Sequence, residues 1–244
     1  MKDILILGAG LSSSSLVRYL TQNAEANDWK ILIVDQDKAD IESKINGSPH
    51  AEAKVFNALD PEERRPYIEK ADLVISMLPA RYHPDVAEDC IKYKKNLITP
   101  SYVSPRMKEL HQKAVDAGIT IMNEIGVDPG IDHMSAMRVI DDIRDAGGEM
   151  HIFESFTGGL VAPESDDNPW NYKFTWNPRN VVLAGQGGAA QFIQEGRYKY
   201  IPYNKLFRRS EIIEMEEYGT FEGYANRNSL MYRELYGLED IPTI

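Results

Sequence analysis

The sequence predicts an α/β fold, a doubly wound parallel sheet followed by an α+β domain, on three observations. Over roughly the first 125 residues short apolar runs alternate with amphipathic stretches. The first of those runs opens directly into a glycine turn. Past residue 126 the texture changes to mixed segments rich in aromatics and prolines.

The apolar runs are "ILILG", "WKILIVD", "AKVFNAL", "ADLVISMLP", "KNLITPS" and "GITIMNE". Each is rich in β-branched residues and bounded by turn residues, as buried strands are. Helix-like segments begin near Leu11, Pro61, Pro84 and Pro105. Three of these carry proline in the first turn, where its missing N–H costs nothing. Strand, helix and strand in repetition give a parallel sheet with helices on both faces. After "NEIGVDPGIDH" a long helix-like stretch runs from about Ile131 to Ala146 and is stopped by Gly147 and Gly148. "EMHIFESFTGG" and "GRYKYIPY" alternate like half-buried strands. The aromatics of "NPWNYKFTWNPRN" suit loops that line a pocket, or simply fill a core. The domain boundary falls near Gly126, giving domains 1–126 and 127–244.

With 27 Lys+Arg against 38 Asp+Glu, the net charge of −11 opposes a phosphate backbone, so nucleic acid is not an expected partner. The single cysteine, Cys90, makes no intramolecular disulfide and lies on a helical face with Val86 and Ala87, which suggests a reducing compartment. No apolar run approaches the roughly 18 residues that cross a bilayer. The first strand begins too early for a cleavable leader. These features predict a cytoplasmic protein without a membrane. The five histidines are scattered, and Asp132 with His133 lacks the spaced partners of a zinc site, so no metal is expected.

Gly8 and Gly10 follow the first strand, which allows backbone amides at a helix N-terminus to approach a pyrophosphate. Leu11 and Ser12 begin that helix, and Ser12 can reach phosphate oxygens. Ser13 stands where the dinucleotide fingerprint has a third glycine. Positions 13, 16, 17 and 20 share one helical face with Leu16, Val17 and Leu20, so a small serine is acceptable against the sheet. Asp35 ends the second strand about 25 residues past the glycines, where an acid binds the adenosine ribose. The expected cofactor is NAD or NADP, and Asp35, which would repel a 2′-phosphate, favours NAD; Asp37 could share its role.

Ligands of an open parallel sheet lie beyond the carboxyl ends of the strands. The loops there are "SMLPARYHP", with Ser76 and Leu78 as cofactor contacts, then "TPSYVSP" and "NEIGVDPG". Proline and glycine in all three suit a rigid floor.

"NEIGVDPGIDHMSAMRVIDDI" and "SFTGGLVAPESDDNPWNYKFTWNPRNVVLAG" closely resemble the saccharopine dehydrogenase family, in its glutamate-forming branch, also called saccharopine reductase. The resemblance runs from the glycine turn to the end of the chain. It implies a Rossmann-type cofactor domain and a second α+β domain for substrate binding and dimerisation, hence a homodimer. The activity it implies is interconversion of saccharopine with glutamate and aminoadipate semialdehyde by hydride transfer with a nicotinamide cofactor. By motif, Ser101 and Tyr102 are substrate contacts, Val127 and Asp128 border the nicotinamide, and Arg227 is a substrate carboxylate ligand. Two departures stand out. Fungal NADP-dependent relatives carry a basic residue near the end of the second strand, whereas this chain has Asp35. Family chains also continue well past the equivalent of Ile244, which implies a fragment.

A substrate with three carboxylates needs cations, and Arg is the natural bidentate partner. Arg227 leads, with Arg81, Arg179, Arg208 and Arg209 as weaker candidates. Oxidation of a secondary amine requires proton transfers, for which Asp128 and Tyr102 are the candidate catalytic residues; the alternative is that the protein mainly orients and excludes water. Two other readings compete. One is reductive amination like that of carboxynorspermidine dehydrogenase, and the other is a non-catalytic NAD(P)-binding interaction protein.

Overall fold

Six parallel strands, β1 (Lys2–Leu7), β2 (Trp29–Asp35), β3 (Ala51–Val55), β4 (Leu73–Ser76), β5 (Asn96–Ile98) and β6 (Ile121–Met122), pair in the order β3-β2-β1-β4-β5-β6. This is the doubly wound order whose direction reverses between β1 and β4, opening a crevice at their carboxyl ends. The computed structural model describes all residues except 177 and 185–187 and divides the chain into two units, Met1–His133 and Met134–Ile244.

Period-two alternation along β1 builds a core on each face of the sheet. Ile4 and Ile6 pack with Val17, Leu20 and Ala24 of α1 (Ser14–Asn27) and with Ile41 and Ile45 of α2 (Lys38–Ile45). Leu5 and Leu7 pack on the other side with Ile68 of α3 (Pro61–Lys70) and with Val86, Ala87 and Cys90 of α4 (His83–Tyr93). Burial pushes the Cys90 thiol up to about 12, helped by the neighbouring Asp89 carboxylate. The helices α5 (Pro105–Glu109) and α6 (His111–Ala117) complete that face, and α7 (Ile131–Asp145) follows.

In the second unit α8 (Pro178–Ala184) precedes two antiparallel hairpins, β7 (Ala190–Gln194) with β8 (Arg197–Ile201) and β9 (Ser210–Met215) with β10 (Gly219–Tyr224); the short α9 (Arg233–Tyr236) comes last. Its larger core gathers Ile140, Ile193, Leu238, Ile241 and Ile244. Ile193 and Ile244 exchange backbone hydrogen bonds in both directions, at 3.0 and 2.9 Å.

Three expectations need correction. The third strand ends at Val55, so Phe56 to Leu59 of "AKVFNAL" leave the sheet and lead to Asp60, which caps α3 by accepting from Glu62 N–H (2.9 Å). α2 was not expected; Asp37 caps it, accepting from Ala39 N–H (2.8 Å), and only Ile41 and Ile45 reach the core. "EMHIFESFTGG" forms no strand, because only Ile152 bridges Thr243 and Phe156 stays exposed. Trp170 is 85% exposed and Phe174 53%, so these two rings do not fill the core of their unit.

Candidate functional site

Gly8 adopts φ +103°, and a Cβ there would stand 3.0 Å from the Met77 carbonyl carbon and oxygen. The exit of β1 therefore approaches that of β4 too closely for any side chain. Gly10 differs: a Cβ there would meet nothing within 4 Å, which leaves open space in front of the turn. Ser13 is 1% exposed in a single 3-10 turn, Leu11–Ser13, that leads into α1, and its hydroxyl donates to the Gly10 carbonyl (2.8 Å). Val17 and Leu20 are buried on the same face, while Leu11, Ser12 and Ser14 are exposed.

The Asp35 carboxylate is turned onto this loop. One oxygen accepts from Ala9 N–H (2.5 Å) and the other from Gln36 N–H (2.6 Å). Lys44 Nζ donates to the Ala9 carbonyl (2.5 Å), and Lys38 pairs with Glu42 (3.2 Å). Two carboxylates, Asp35 and Asp37, thus stand at the end of β2, and the nearby cations are engaged.

At the carboxyl ends of β4 and β5 lies a polar chain that the sequence did not disclose. Ser76, fully buried, ends β4, and its Oγ lies 2.9 Å from His83 Nδ1. His83 Nε2 lies 2.9 Å from Ser101 Oγ. His83 is 2% exposed, and burial pushes its imidazole down to about 4, so it is neutral at physiological pH. The only sequence signal was a histidine directly before the proline that opens a helix.

The next loop joins two expected residues: Tyr102 Oη donates to the Asp128 carboxylate at 2.6 Å. Their loops are tied by Val103 N–H, which donates to Glu124 Oε1 (3.0 Å), and by Glu124 N–H, which donates to the Ser101 carbonyl (3.1 Å). "GVDPG" closes on itself through Gly126 N–H to the Pro129 carbonyl (2.9 Å). A Cβ on Gly130, at φ +151°, would lie 2.1 Å from the Gly126 oxygen, so only glycine fits. Asp132 accepts from Gly130 N–H (2.7 Å) at the start of α7. Val127 is 72% exposed and Leu78 is half-buried.

Arg227 belongs to the second unit. It adopts φ 38°, a left-handed backbone that is costly for a non-glycine residue, and its carbonyl accepts from Gln191 N–H (2.6 Å). Of the weaker arginines, Arg81 lies over the Tyr82 ring, Arg209 donates to Gln194 (2.8 Å), and Arg208 and Arg179 are exposed. Among the described residues no group of three or more His, Cys, Asp or Glu could hold a metal ion, and no helix is long and apolar enough to cross a membrane.

Residues 4–122 match the family model for the saccharopine dehydrogenase NADP binding domain, and residues 126–244 match that for the saccharopine dehydrogenase C-terminal domain. The chain belongs to the saccharopine dehydrogenase family. Among family members, it is 37% identical over 244 residues to the NADP(+), L-glutamate-forming saccharopine dehydrogenase of Schizosaccharomyces pombe, covering 100% of this chain and 53% of that protein. It is 35% identical over 248 residues to the mitochondrial alpha-aminoadipic semialdehyde synthase of Mus musculus, covering 100% of this chain and 26% of that one. The solved structure of apo saccharopine dehydrogenase (L-Glu forming) from Saccharomyces cerevisiae superposes with a TM-score of 0.89 at 33% identity, over 100% of this chain and 54% of that chain. The chain thus spans about half the length of the L-glutamate-forming relatives it matches.

Proposed function

We propose that this chain carries the cofactor domain and part of the substrate domain of an oxidoreductase of lysine metabolism. The reaction interconverts saccharopine with glutamate and aminoadipate semialdehyde. The observation that carries the reading is the Tyr102–Asp128 hydrogen bond (2.6 Å) at the carboxyl ends of a doubly wound sheet. It puts a carboxylate and a phenol together where such folds bind ligands.

The open space before Gly10 and the N-terminus of the helix behind it fit a dinucleotide pyrophosphate. Gly8, Gly10, Leu11, Ser12, Leu78, Val127 and Asp128 would hold the cofactor, with Asp35 at the ribose; Ser13, 1% exposed with its hydroxyl on Gly10, and Ser76, 0% exposed with its hydroxyl on His83, support the turn and the end of β4 from behind and do not meet the cofactor. A bound nicotinamide supplies the hydride acceptor for the C–H next to the secondary amine. Asp128, oriented by Tyr102, serves the proton transfers that follow: water adds to the resulting iminium carbon, loses a proton, and the C–N bond breaks with glutamate leaving as the amine. Ser101 is the carboxylate ligand of the first unit, while Tyr102, whose one proton goes to Asp128, meets the substrate as an acceptor; Arg227 of the second unit is the carboxylate ligand that its motif implies. Asp35 and Asp37 at the end of β2 favour NAD, against the NADP of the family model and of the L-glutamate-forming relatives, and Lys44, whose charged amine sits on the Ala9 carbonyl of the same turn, is the cation at hand for a 2′-phosphate. The reading includes a homodimer, checked by size-exclusion chromatography with light scattering, and a cytoplasmic location.

The protein as its gene encodes it, given NADH, glutamate and aminoadipate semialdehyde, should consume NADH, and faster than NADPH at equal concentration. Turnover with a diamine in place of glutamate, or tight dinucleotide binding without turnover of either pair, would overturn the assignment.

A further inference from the structure

We propose that His83 is a positioning residue whose imidazole, anchored on Ser76, presents Ser101 as a hydrogen-bond donor to a substrate carboxylate. The proposal rests on the reading of Ser101 as a substrate contact.

The three side chains form a continuous line from the last residue of β4, through the first residue of α4, to the loop after β5, with both links at 2.9 Å. Ser76 and His83 are buried at 0% and 2% exposure, and Ser101 is half-buried. The line therefore has a fixed inner end and an outer end within reach of a ligand. A neutral imidazole has one donor nitrogen and one acceptor nitrogen, so the chain can run in only two directions. In one, Ser101 gives its proton to Nε2, and Nδ1–H donates to Ser76. Ser101 then has only lone pairs left, which repel a carboxylate. In the other, Ser76 donates to Nδ1 and Nε2–H donates to Ser101 Oγ, which leaves the Ser101 hydroxyl proton free.

A carboxylate accepts hydrogen bonds and donates none. Binding one at Ser101 therefore selects the second direction, with the Nε2–H tautomer. Burial and the N-terminal end of α4, the positive end of a helix dipole, both disfavour an imidazolium here. Ser76 has a role in this scheme that no cofactor contact requires: it fixes the tautomer from behind.

The test separates the two ends of the imidazole. In H83Q the amide can occupy the place of Nε2 and still donate to Ser101, whereas in H83N it occupies that of Nδ1 and leaves Ser101 unsupported. H83N should raise KM for the carboxylate substrate about tenfold, as for a hydrogen bond to a charged group. Its kcat and its Kd for NADH should stay within about twofold of the parent, and H83Q should recover most of the loss. Equal KM values for H83N, H83Q and the parent would overturn the role of His83, provided S101A raises KM. An unchanged KM in S101A would overturn the substrate reading of Ser101, and the proposal with it. In the unsubstituted protein with the carboxylate substrate bound, 15N NMR of labelled histidine should show Nε2 of His83 protonated and Nδ1 bare. The reverse pattern would overturn the proposal without any variant.

Discussion

His83 takes up a proton more readily in the unfolded chain, because burial lowers its pKa from the ordinary 6.5 to about 4 in the fold. Between these values the unfolded state binds more protons, so stability rises with pH there. It is fully present above about 6.5, falls as the pH drops toward 4, and loses up to about 3 kcal/mol in all. Urea unfolding at pH 7.5 and pH 4.5, followed by circular dichroism, should show this loss in the parent and a smaller one in H83Q. Activity tests the neighbouring pair: Asp128→Asn should lower kcat about 10²- to 10⁴-fold, as for a lost general base, and Tyr102→Phe by less. Steady-state rates with near-native melting curves would check this. At this scale the neighbourhood of Gly8, Ser13 and Asp35 was legible, since adjacent strand ends bring those residues to one turn. His83 was not, because its partners are 7 and 18 residues away and are joined only by the folded loops.

Between α3 and α4 the contact is ionic as well as apolar. Asp89 accepts from Arg64 Nε (2.7 Å) and from Arg65 Nε (2.7 Å), with Arg64 5% exposed and Asp89 3%. Removing one partner strands a buried charge, so Asp89→Ala should cost about 3–5 kcal/mol. A matched drop in the urea midpoint, largely avoided when Arg64→Met is combined with it, would distinguish stranded charge from lost packing. The elements themselves were legible where period and punctuation agreed: six apolar runs mark the six strands, and prolines mark the starts of α3, α4 and α5. α2 escaped notice because its two buried residues, Ile41 and Ile45, sit among charged neighbours. "EMHIFESF" misled for the opposite reason. Its alternation resembles a strand, yet among the described residues it pairs only at Ile152 and Phe153, with Thr243.

Across the whole chain both units close contacts between residues far apart in sequence. In the first unit β1 pairs with β2 and β4, and each core is assembled from successive strands and helices. In the second, residues 242–244 stand between Ile152–Phe153 on one side and β7 on the other, and Ile241 and Ile244 join Ile140 in the core. Ile244→Ala should therefore destabilise the second unit by about 2–5 kcal/mol, a typical cost for such a core truncation. Hydrogen exchange of β7 amides should accelerate while those of β1 do not. The same arrangement bears on synthesis at the ribosome. Neither unit can close its core as it emerges: the first waits for β4 to β6 to flank β1, and the second keeps apolar surface open to chaperones and to aggregation until residue 244 has cleared the exit tunnel.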